Sequence, residues 1–350
     1  MARVHYELIQ RPRIRLRFPI WSVSFSLNSI TDPYSTKEAV LQLGVIDPEI
    51  DEATCEKCSR HGTHETLMTI PMRDGHESEI RMIKSPNAQP STPLVILIYG
   101  GGFFSGTNIQ LLPWATATAA LCGVTVILPL YRLAPQHKFP IAHNDIWDSI
   151  KWLAGNASSL DAGLSKGFII DGTSVGGNLS IATAHRAMRE LLSPPLTGVL
   201  AIIPLCMDER TVPEKYKHLW VSREQNANSP ICNAKDIETW TSWWGPDLRS
   251  VDYSPLNSDV ELAGMPPTHV QVDGLDTLRE DGLIYEKLLR DHGVATCLDV
   301  YPGMPHAHWM LWPEHFLSIK LNIDTLCGIR WLLGREIGRD VVERVWKTAP

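Results

Sequence analysis

Residues 171–180 read DGTSVGGNLS and place one serine, Ser174, between glycines two positions before it and two positions after it. The preceding run GFII (167–170) is short and apolar, and the following stretch NLSIATAHRAMRELL has apolar residues at roughly helical spacing. A G-x-S-x-G pattern between a strand and a helix is typical of a strained turn that presents the serine hydroxyl above the strand ends. The residues two positions before and two positions after the serine must be small, because side chains there would collide with the strand and the helix.

Strand-like and helix-like stretches alternate along most of the chain. The strand-like runs are VILIY (95–99), VTVILPL (124–130), GFIID (167–171), GVLAIIPL (198–205), THVQVDG (268–274) and TCLDVYPG (296–303). Helical stretches are expected at 114–123, at 143–155, from about 175, at 278–293 and at the end of the chain. This alternation predicts an α/β fold with a mostly parallel central sheet and helices on both faces.

About sixty residues between the runs 198–205 and 268–274 break the alternation. They contain Trp220, Trp240, Trp243 and Trp244 together with many prolines and polar turn residues. We interpret residues 207–265 as an inserted helical cap that packs with an N-terminal arm, residues 1–65. The segments 66–206 and 266–350 are then the α/β core.

A glycine-rich loop, YGGGFFSG (99–106), follows the first of these strand-like runs. Consecutive glycines let backbone amides approach a ligand without interference from side chains, as an oxyanion hole requires. The spacing does not fit the dinucleotide pattern G-x-G-x-x-G, and no lysine follows as in a phosphate-binding loop. The sequence therefore predicts no nucleotide and no other cofactor.

A nucleophilic serine needs a general base, and the base needs an acid that orients it. DGLDTLRED (273–281) and YPGMPHAH (301–308) each follow a late strand-like run. If both loops leave the same edge of a parallel sheet, their side chains can meet the serine at the carboxyl ends of the strands. Spacing alone does not separate Asp273 from Asp276, or His306 from His308.

Five motifs in this order resemble the hormone-sensitive-lipase family of α/β-hydrolases and cover about residues 70 to 310. YGGGFFSG resembles the family's HGGG loop, and YRLAPQHKFP (131–140) is similar to its YRLAP-x-H-x-FP segment. GTSVGGN resembles the GDSAGGN elbow, DTLREDG (276–282) the DPLRDEG motif, and PGMPHAH the His-Gly-Phe loop. The N-terminal arm and the cap match only in position.

The resemblance implies an α/β-hydrolase fold and a carboxylic-ester hydrolase that works through an acyl-enzyme. Carried over residue by residue, it makes Ser174 the nucleophile, His306 the general base and Asp276 the orienting acid. The oxyanion donors that it implies are the backbone N–H groups of Gly101, Gly102 and Val175.

The chain also departs from the family's pattern. Tyr99 replaces a histidine, so the hydrogen bonds that hold the glycine loop are expected to differ. Thr173 and Val175 replace the commoner Asp and Ala, and Val175 is bulky enough to narrow the acyl pocket. Ala307 and His308 replace Gly and Phe. These changes remove no catalytic group and indicate a specialised substrate.

The expected substrate is an apolar or medium-sized small-molecule ester. The aromatic residues proposed to line its cavity are Tyr99, Phe103, Trp220, Trp244 and Trp309. Two alternatives stay open. One is an acyltransferase or a non-hydrolytic lyase of specialised metabolism on the same fold, and the other is a non-catalytic ligand receptor. Such receptors commonly lose a triad member, whereas this chain has all three.

Composition excludes several other classes. A formal net charge of −7, with no basic stripe after the first twenty residues, argues against nucleic-acid binding. Residues 85–131 carry no charge, but prolines and glycines interrupt them, so no membrane span is predicted. No secretory signal follows the basic start, and we expect a cytoplasmic protein. A homodimer is left open.

The segment CEKCSRHGTH has residue types that suit zinc, at intervals of three: Cys55, Cys58, His61 and His64. Steps of three drift round a helix axis, and no hairpin is predicted to wrap an ion. We therefore predict a polar surface segment and no metal. The seven cysteines of the chain are expected to be reduced thiols.

Overall fold

The computed structural model describes residues 62–85 and 88–347. Most of the predicted N-terminal arm lies outside these residues, and so do Cys55, Cys58 and His61 of the cysteine–histidine segment. His64 is the first residue of the first strand.

One eight-stranded sheet forms the centre of the described chain. Its strands are β1 (His64–Pro71), β2 (Glu77–Lys84), β3 (Leu94–Ile98), β4 (Thr125–Pro129), β5 (Phe168–Thr173), β6 (Gly198–Ile202), β7 (Thr268–Asp273) and β8 (Thr296–Tyr301). Their spatial order is β1-β2-β4-β3-β5-β6-β7-β8. The pairs β1–β2 and β2–β4 are antiparallel, and all the others are parallel. The predicted mostly parallel sheet is confirmed.

Helices cover both faces of the sheet, as predicted. They are α1 (Leu112–Cys122), α2 (Ile141–Asn156), α3 (Val175–Arg189), α4 (Ser222–Gln225), α5 (Ala234–Trp244), α6 (Arg279–Asp291), α7 (His308–Leu311), α8 (Phe316–Leu332) and α9 (Arg339–Lys347). On one face α3 packs on β5 and β6 and α6 on β7, while on the other α1 packs on β4 and α8 on β6 to β8. No helix in the described ranges combines the length and the apolar character that crossing a bilayer requires.

The strands β3, β4, β5, β6 and β7 consist of buried residues throughout. Parallel strands covered by helices on both faces read as continuous apolar runs, which is why their sequences were recognisable. The antiparallel edge strand β1 is mostly exposed, and its sequence HETLMTIP lacks such a run.

The segment between β6 and β7 carries α4 and α5 and only short 3₁₀ turns besides. The helix α5 starts with a capping box, in which Asn233 and Asp236 exchange side-chain and backbone hydrogen bonds, and it ends at Gly245 in the left-handed conformation. At its end Trp244 stacks on Phe103 of the glycine loop, with ring centroids 3.7 Å apart. The insertion thereby contacts the loop after β3.

Candidate active site

Ser174 lies in a strained turn between β5 and α3. Its backbone has φ 58° and ψ −116°, a conformation that non-glycine residues rarely adopt. A Cβ at Gly172 would lie 2.0 Å from the carbonyl oxygen of Gly176, and one at Gly176 would lie 2.2 Å from that of Ile98. The two glycines are therefore required by close backbone approach, as the sequence pattern predicted.

The glycine loop after β3 folds back onto one of its own carbonyl groups. The oxygen of Gly101 accepts hydrogen bonds from the backbone of Phe104 at 3.2 Å, and from the backbone and hydroxyl of Ser105, both at 3.0 Å. Within the described ranges, the N–H groups of Gly101, Gly102 and Val175 donate to no protein acceptor. Three backbone donors near the turn at Ser174 are therefore free to bind an oxygen atom of a ligand.

A reciprocal pair of tyrosines fastens the start of this loop. The hydroxyl of Tyr99 donates to the carbonyl of Tyr131, and the hydroxyl of Tyr131 donates to the carbonyl of Tyr99, both at 3.1 Å. Their rings stack with centroids 4.3 Å apart. Tyr99 thus holds the start of the loop through its hydroxyl and its carbonyl groups.

The loops after β5, β7 and β8 bring a hydroxyl, a carboxylate and an imidazole into one line. The Ser174 hydroxyl lies 2.9 Å from Nε2 of His306, and Nδ1 of His306 lies 2.7 Å from Oδ2 of Asp276. The other carboxylate oxygen of Asp276 accepts the backbone N–H of Leu278 at 2.8 Å. All three side chains are buried, with Asp276 fully so. This is the geometry that lets an imidazole take a proton from a serine hydroxyl.

Asp273 and His308, which sequence spacing could not separate from Asp276 and His306, form a second pair beside the first. Nδ1 of His308 lies 3.0 Å from Oδ2 of Asp273, and both side chains are completely buried. Burial lowers the pKa of His308 to about 4, so its imidazole is neutral at pH 7. Burial and the nearby charge of Asp276 raise the pKa of Asp273 well above its usual value. The hydroxyl of Ser174 is hydrogen-bonded to His306 and to neither of these residues.

A third acid lies in the strand that leads to Ser174. Asp171 of β5 is buried, and neither of its carboxylate oxygens has a hydrogen-bond partner among the described residues. Burial raises its pKa to about 8, because the charged form is poorly solvated there. In the sequence, Asp171 is recognisable only as the end of the strand-like run GFIID.

A small cavity of about 20 Å³ adjoins Gly102 and Val175. Its walls are largely apolar and are formed by Gly102, Phe103, Val175, Leu205, Ile237, Trp240, Thr241, Trp244 and Leu278. This volume holds about one water molecule. Four of these residues belong to the helix α5, so the insertion closes the cavity from one side.

The residues predicted to line a substrate cavity divide into two groups. Phe103 and Trp244 line the cavity described above. Trp220 donates its indole N–H to Asp281 at 3.2 Å, and Trp309 packs against Trp114 with ring centroids 5.8 Å apart. Tyr99 is buried in the tyrosine pair. These three do not line the cavity.

Leu205, Ile237 and Leu278 were not predicted as site residues, although all three line the cavity. Two of them lie within recognisable features: Leu205 is the last residue of the run GVLAIIPL, and Leu278 is the third residue of the motif DTLREDG. Ile237 lies in the insertion, where no pattern marked a binding face.

The insertion is also hydrogen-bonded to the loop that carries Asp276. The side-chain amide of Asn226 donates to the backbone carbonyl of Asp276 at 2.7 Å, and the Ser222 hydroxyl donates to that of Thr277 at 2.6 Å. In return the Thr277 hydroxyl donates to the carbonyl of Cys232 at 2.5 Å. The position of the acid therefore depends on residues of the insertion.

Comparison with known proteins agrees with this architecture. A model of the α/β-hydrolase fold family matches residues 95–310. The chain is 31% identical over 234 residues to the carboxylesterase NlhH of Mycobacterium tuberculosis, covering 65% of this chain and 70% of that protein. It is 30% identical over 269 residues to the versiconal hemiacetal acetate esterase of Dothistroma septosporum, covering 74% and 79%. The crystal structure of vibralactone cyclase superposes with a TM-score of 0.78 at 28% identity, covering 95% of each chain.

The fold and these relatives define a carboxylesterase-like hydrolase. The chain belongs to the α/β-hydrolase fold family, and within it to the hormone-sensitive-lipase family of carboxylesterases that its motifs resemble.

Proposed function

We propose that this enzyme hydrolyses carboxylic esters through a Ser174–His306–Asp276 triad. The observation that carries the proposal is the continuous line of contacts from the Ser174 hydroxyl to Nε2 of His306 and from Nδ1 to Asp276. His306 takes the proton of the hydroxyl as Ser174 attacks the ester carbonyl, and Asp276 stabilises the imidazolium that results. The imidazolium then protonates the leaving alcohol.

The developing oxyanion is bound by backbone N–H groups of Gly101, Gly102 and Val175. Support comes from the absence of protein acceptors for these donors in the described ranges. Each such donor contributes about 10²–10³-fold to the rate. In the second half of the reaction, His306 removes a proton from water, the hydroxide attacks the acyl carbon, and Ser174 leaves with the proton from Nε2.

The acyl group of the substrate is short and apolar. The leaving alcohol must face His306, which protonates it, so the acyl chain points away from the imidazole. The cavity beside Gly102 and Val175 is not lined by His306, and its volume of about 20 Å³ accommodates a group the size of a methyl. One of the relatives is named as an acetate esterase, which is consistent with this assignment. The alcohol of the ester is an apolar or medium-sized group.

The Ser174→Ala variant tests the nucleophile. It should lose turnover of p-nitrophenyl acetate by about 10⁶-fold, and it should no longer react with a fluorophosphonate probe. The exposed Ser158 supplies the matched control, because Ser158→Ala should keep both activities. Turnover by Ser174→Ala at the wild-type rate would refute the proposal.

The Trp240→Ala variant tests the acyl assignment with a series of p-nitrophenyl esters from acetate to octanoate. The wild type should prefer acetate, and the variant should move the optimum toward longer chains because a wall of the cavity is removed. Glu238→Ala, an exposed change on the same helix, should leave the profile unchanged. A wild-type optimum at octanoate would contradict the short-acyl assignment without affecting the triad.

A second function has one specific observation in its favour. The similarity to a cyclase over 95% of both chains supports a non-hydrolytic outcome, in which a hydroxyl group takes the place of water. The same acyl-enzyme would then transfer its acyl group to that hydroxyl. Product analysis in H₂¹⁸O, with and without an added alcohol, separates the two: hydrolysis incorporates ¹⁸O into the acid, and acyl transfer does not.

A further inference from the structure

A cysteine from the insertion lies beside the acid and the base of the proposed triad. The Cys232 sulfur, a carboxylate oxygen of Asp276 and a ring nitrogen of His306 all lie within 4.8 Å of one another. All three side chains are buried, and they come from three separate segments of the chain. Neither the ester chemistry nor the family motifs use this cysteine.

We propose that Cys232, Asp276 and His306 form an inhibitory binding site for a soft divalent cation, with zinc as the natural candidate. Zinc in proteins is bound by thiolate, imidazole nitrogen and carboxylate oxygen at about 2.0–2.3 Å, usually in a tetrahedron. Ligand atoms at the corners of such a tetrahedron lie about 3.4–3.8 Å apart. Side-chain movements of about 1 Å would therefore bring the three atoms into coordination, with water as the fourth ligand.

The position of the cysteine is fixed from the side of the insertion. Cys232 has φ 59°, an unusual conformation for a residue with a side chain, and its carbonyl accepts the hydroxyl of Thr277, the residue after Asp276. Asn226 holds the carbonyl of Asp276 itself. The thiol and the carboxylate are thus held on two segments that are hydrogen-bonded to each other, so little ordering is needed when a cation binds.

Coordination at this site would stop catalysis by changing the tautomer of His306. The cation takes the lone pair of Nδ1, so the proton on Nδ1 moves to Nε2, and the thiol proton leaves to solvent. Nε2 then carries a hydrogen and cannot accept the proton of the Ser174 hydroxyl. The loss of activity rests on the proposed role of His306, whereas binding of the cation does not.

A second group of similar composition provides the matched control. His269, Cys297 and Asp299 on β7 and β8 also place their ligand atoms within 4.8 Å of one another, away from Ser174. A cation bound there should leave ester turnover unchanged. Cys297→Ser therefore tests whether any effect of zinc is specific to Cys232.

Initial rates of p-nitrophenyl acetate turnover are measured with full-length protein at buffered free Zn²⁺, each variant being compared with its own metal-free rate. Wild type and Cys297→Ser should be inhibited, and EDTA should reverse the inhibition. In Cys232→Ala the zinc concentration for half-inhibition should rise by more than about 10–100-fold, the loss that removal of an outer partner of a metal ligand already causes. Mg²⁺, which prefers oxygen ligands, should not inhibit. The proposal would be overturned if zinc inhibited wild type and Cys232→Ala equally, or if it failed to inhibit Cys297→Ser.

Binding is measured separately with Cd²⁺, whose thiolate charge-transfer absorption reports a metal–sulfur bond. The experiment uses a Cys55→Ser/Cys58→Ser/Cys297→Ser background so that those thiols do not contribute. The band should appear in this background and in its Ser174→Ala derivative, and it should be lost on Cys232→Ser. The Ser174→Ala derivative should bind Cd²⁺ although it does not turn over ester. This measurement therefore tests the metal site even if the proposed ester chemistry is wrong. Absence of the band from the background protein would overturn the site.

Discussion

Two histidine–aspartate pairs lie at the carboxyl ends of β7 and β8 in this enzyme, and they differ in what Nε2 of the histidine contacts. In the pair His306–Asp276, Nε2 contacts the hydroxyl of Ser174 at 2.9 Å. In the pair His308–Asp273, Nε2 is buried and has no hydrogen-bond partner among the described residues. Both pairs share the Nδ1–carboxylate contact, at 2.7 Å and 3.0 Å. The contact with a hydroxyl, rather than the pairing itself, distinguishes a candidate base from an internal structural pair.

The same substitution at the two histidines should give the largest difference in activity between the two pairs. His306→Asn should lower kcat by about 10⁶-fold, because an amide cannot act as the base. His308→Asn should lose less than about tenfold, or about 1.4 kcal/mol, because the amide of asparagine can replace Nδ1 against Asp273. Turnover of p-nitrophenyl acetate by the two purified variants gives the ratio. Similar losses in both would mean that the two pairs act as one unit.

The two acids allow a parallel test with a smaller expected effect. Asp276→Asn should reduce kcat by about 10⁴-fold, because the neutral amide no longer favours the tautomer of His306 that accepts the serine proton. Asp273→Asn keeps a hydrogen-bonding group opposite His308 and should change kcat by less than about tenfold. If Asp273→Asn proved the more damaging change, the acid would have to be reassigned.

Substitutions in the pair His308–Asp273 should lower the stability of the fold even where they leave the activity unchanged. In His308→Gln the amide lies at the position of Nε2 and cannot reach Asp273, so a buried carboxyl group loses its partner. We expect a loss of about 1–3 kcal/mol in the free energy of unfolding. His308→Asn is the matched control and should lose less. Urea titrations of both variants provide the measurement, and equal losses would show that the hydrogen bond is not what stabilises this loop.

Asp171 is a third buried acid, and unlike Asp273 and Asp276 it is not hydrogen-bonded to a histidine among the described residues. Its pKa of about 8 lies above that of an unfolded aspartate, so the folded state binds more protons between about pH 4 and pH 8. Wild-type stability should therefore fall as the pH rises through this range. Asp171→Asn removes this cost, so the stability of the variant relative to the wild type should rise from pH 5 to pH 8, by up to about 1.4 kcal/mol for each pH unit. Thermal unfolding at the two pH values tests this, and an equal effect at both would contradict it.

The sequence predicted the parallel part of the sheet because buried strands have a strong signature. The runs VILIY and THVQVDG are apolar enough to identify β3 and β7 within one or two residues. The strands β1 and β2 escaped notice because an antiparallel edge mixes exposed and buried positions. The strand β2 is identified by its long-range pairing with β4, and β1 by its pairing with β2.

Candidate site residues were predictable where backbone geometry restricts the residue type. The glycines around Ser174 are an example, since close approach of other backbone atoms leaves no room for a side chain. Asp273 and Asp276 could not be separated by spacing, because the choice depends on the direction of a loop that the strand pattern does not specify. The role of Trp220 was equally hidden, because its partner Asp281 lies 61 positions away.

The tyrosine pair that fastens the glycine loop has a consequence for the working range of the enzyme. Burial raises the pKa values of both Tyr99 and Tyr131 above that of an ordinary phenol. Neither hydroxyl therefore ionises between pH 5 and pH 9, and the loop stays fastened over the whole interval in which an imidazole gains or loses its proton. A histidine at position 99 would add a second titrating group to that interval. With tyrosine there, the group that fastens the loop adds no titration of its own to the pH dependence of activity.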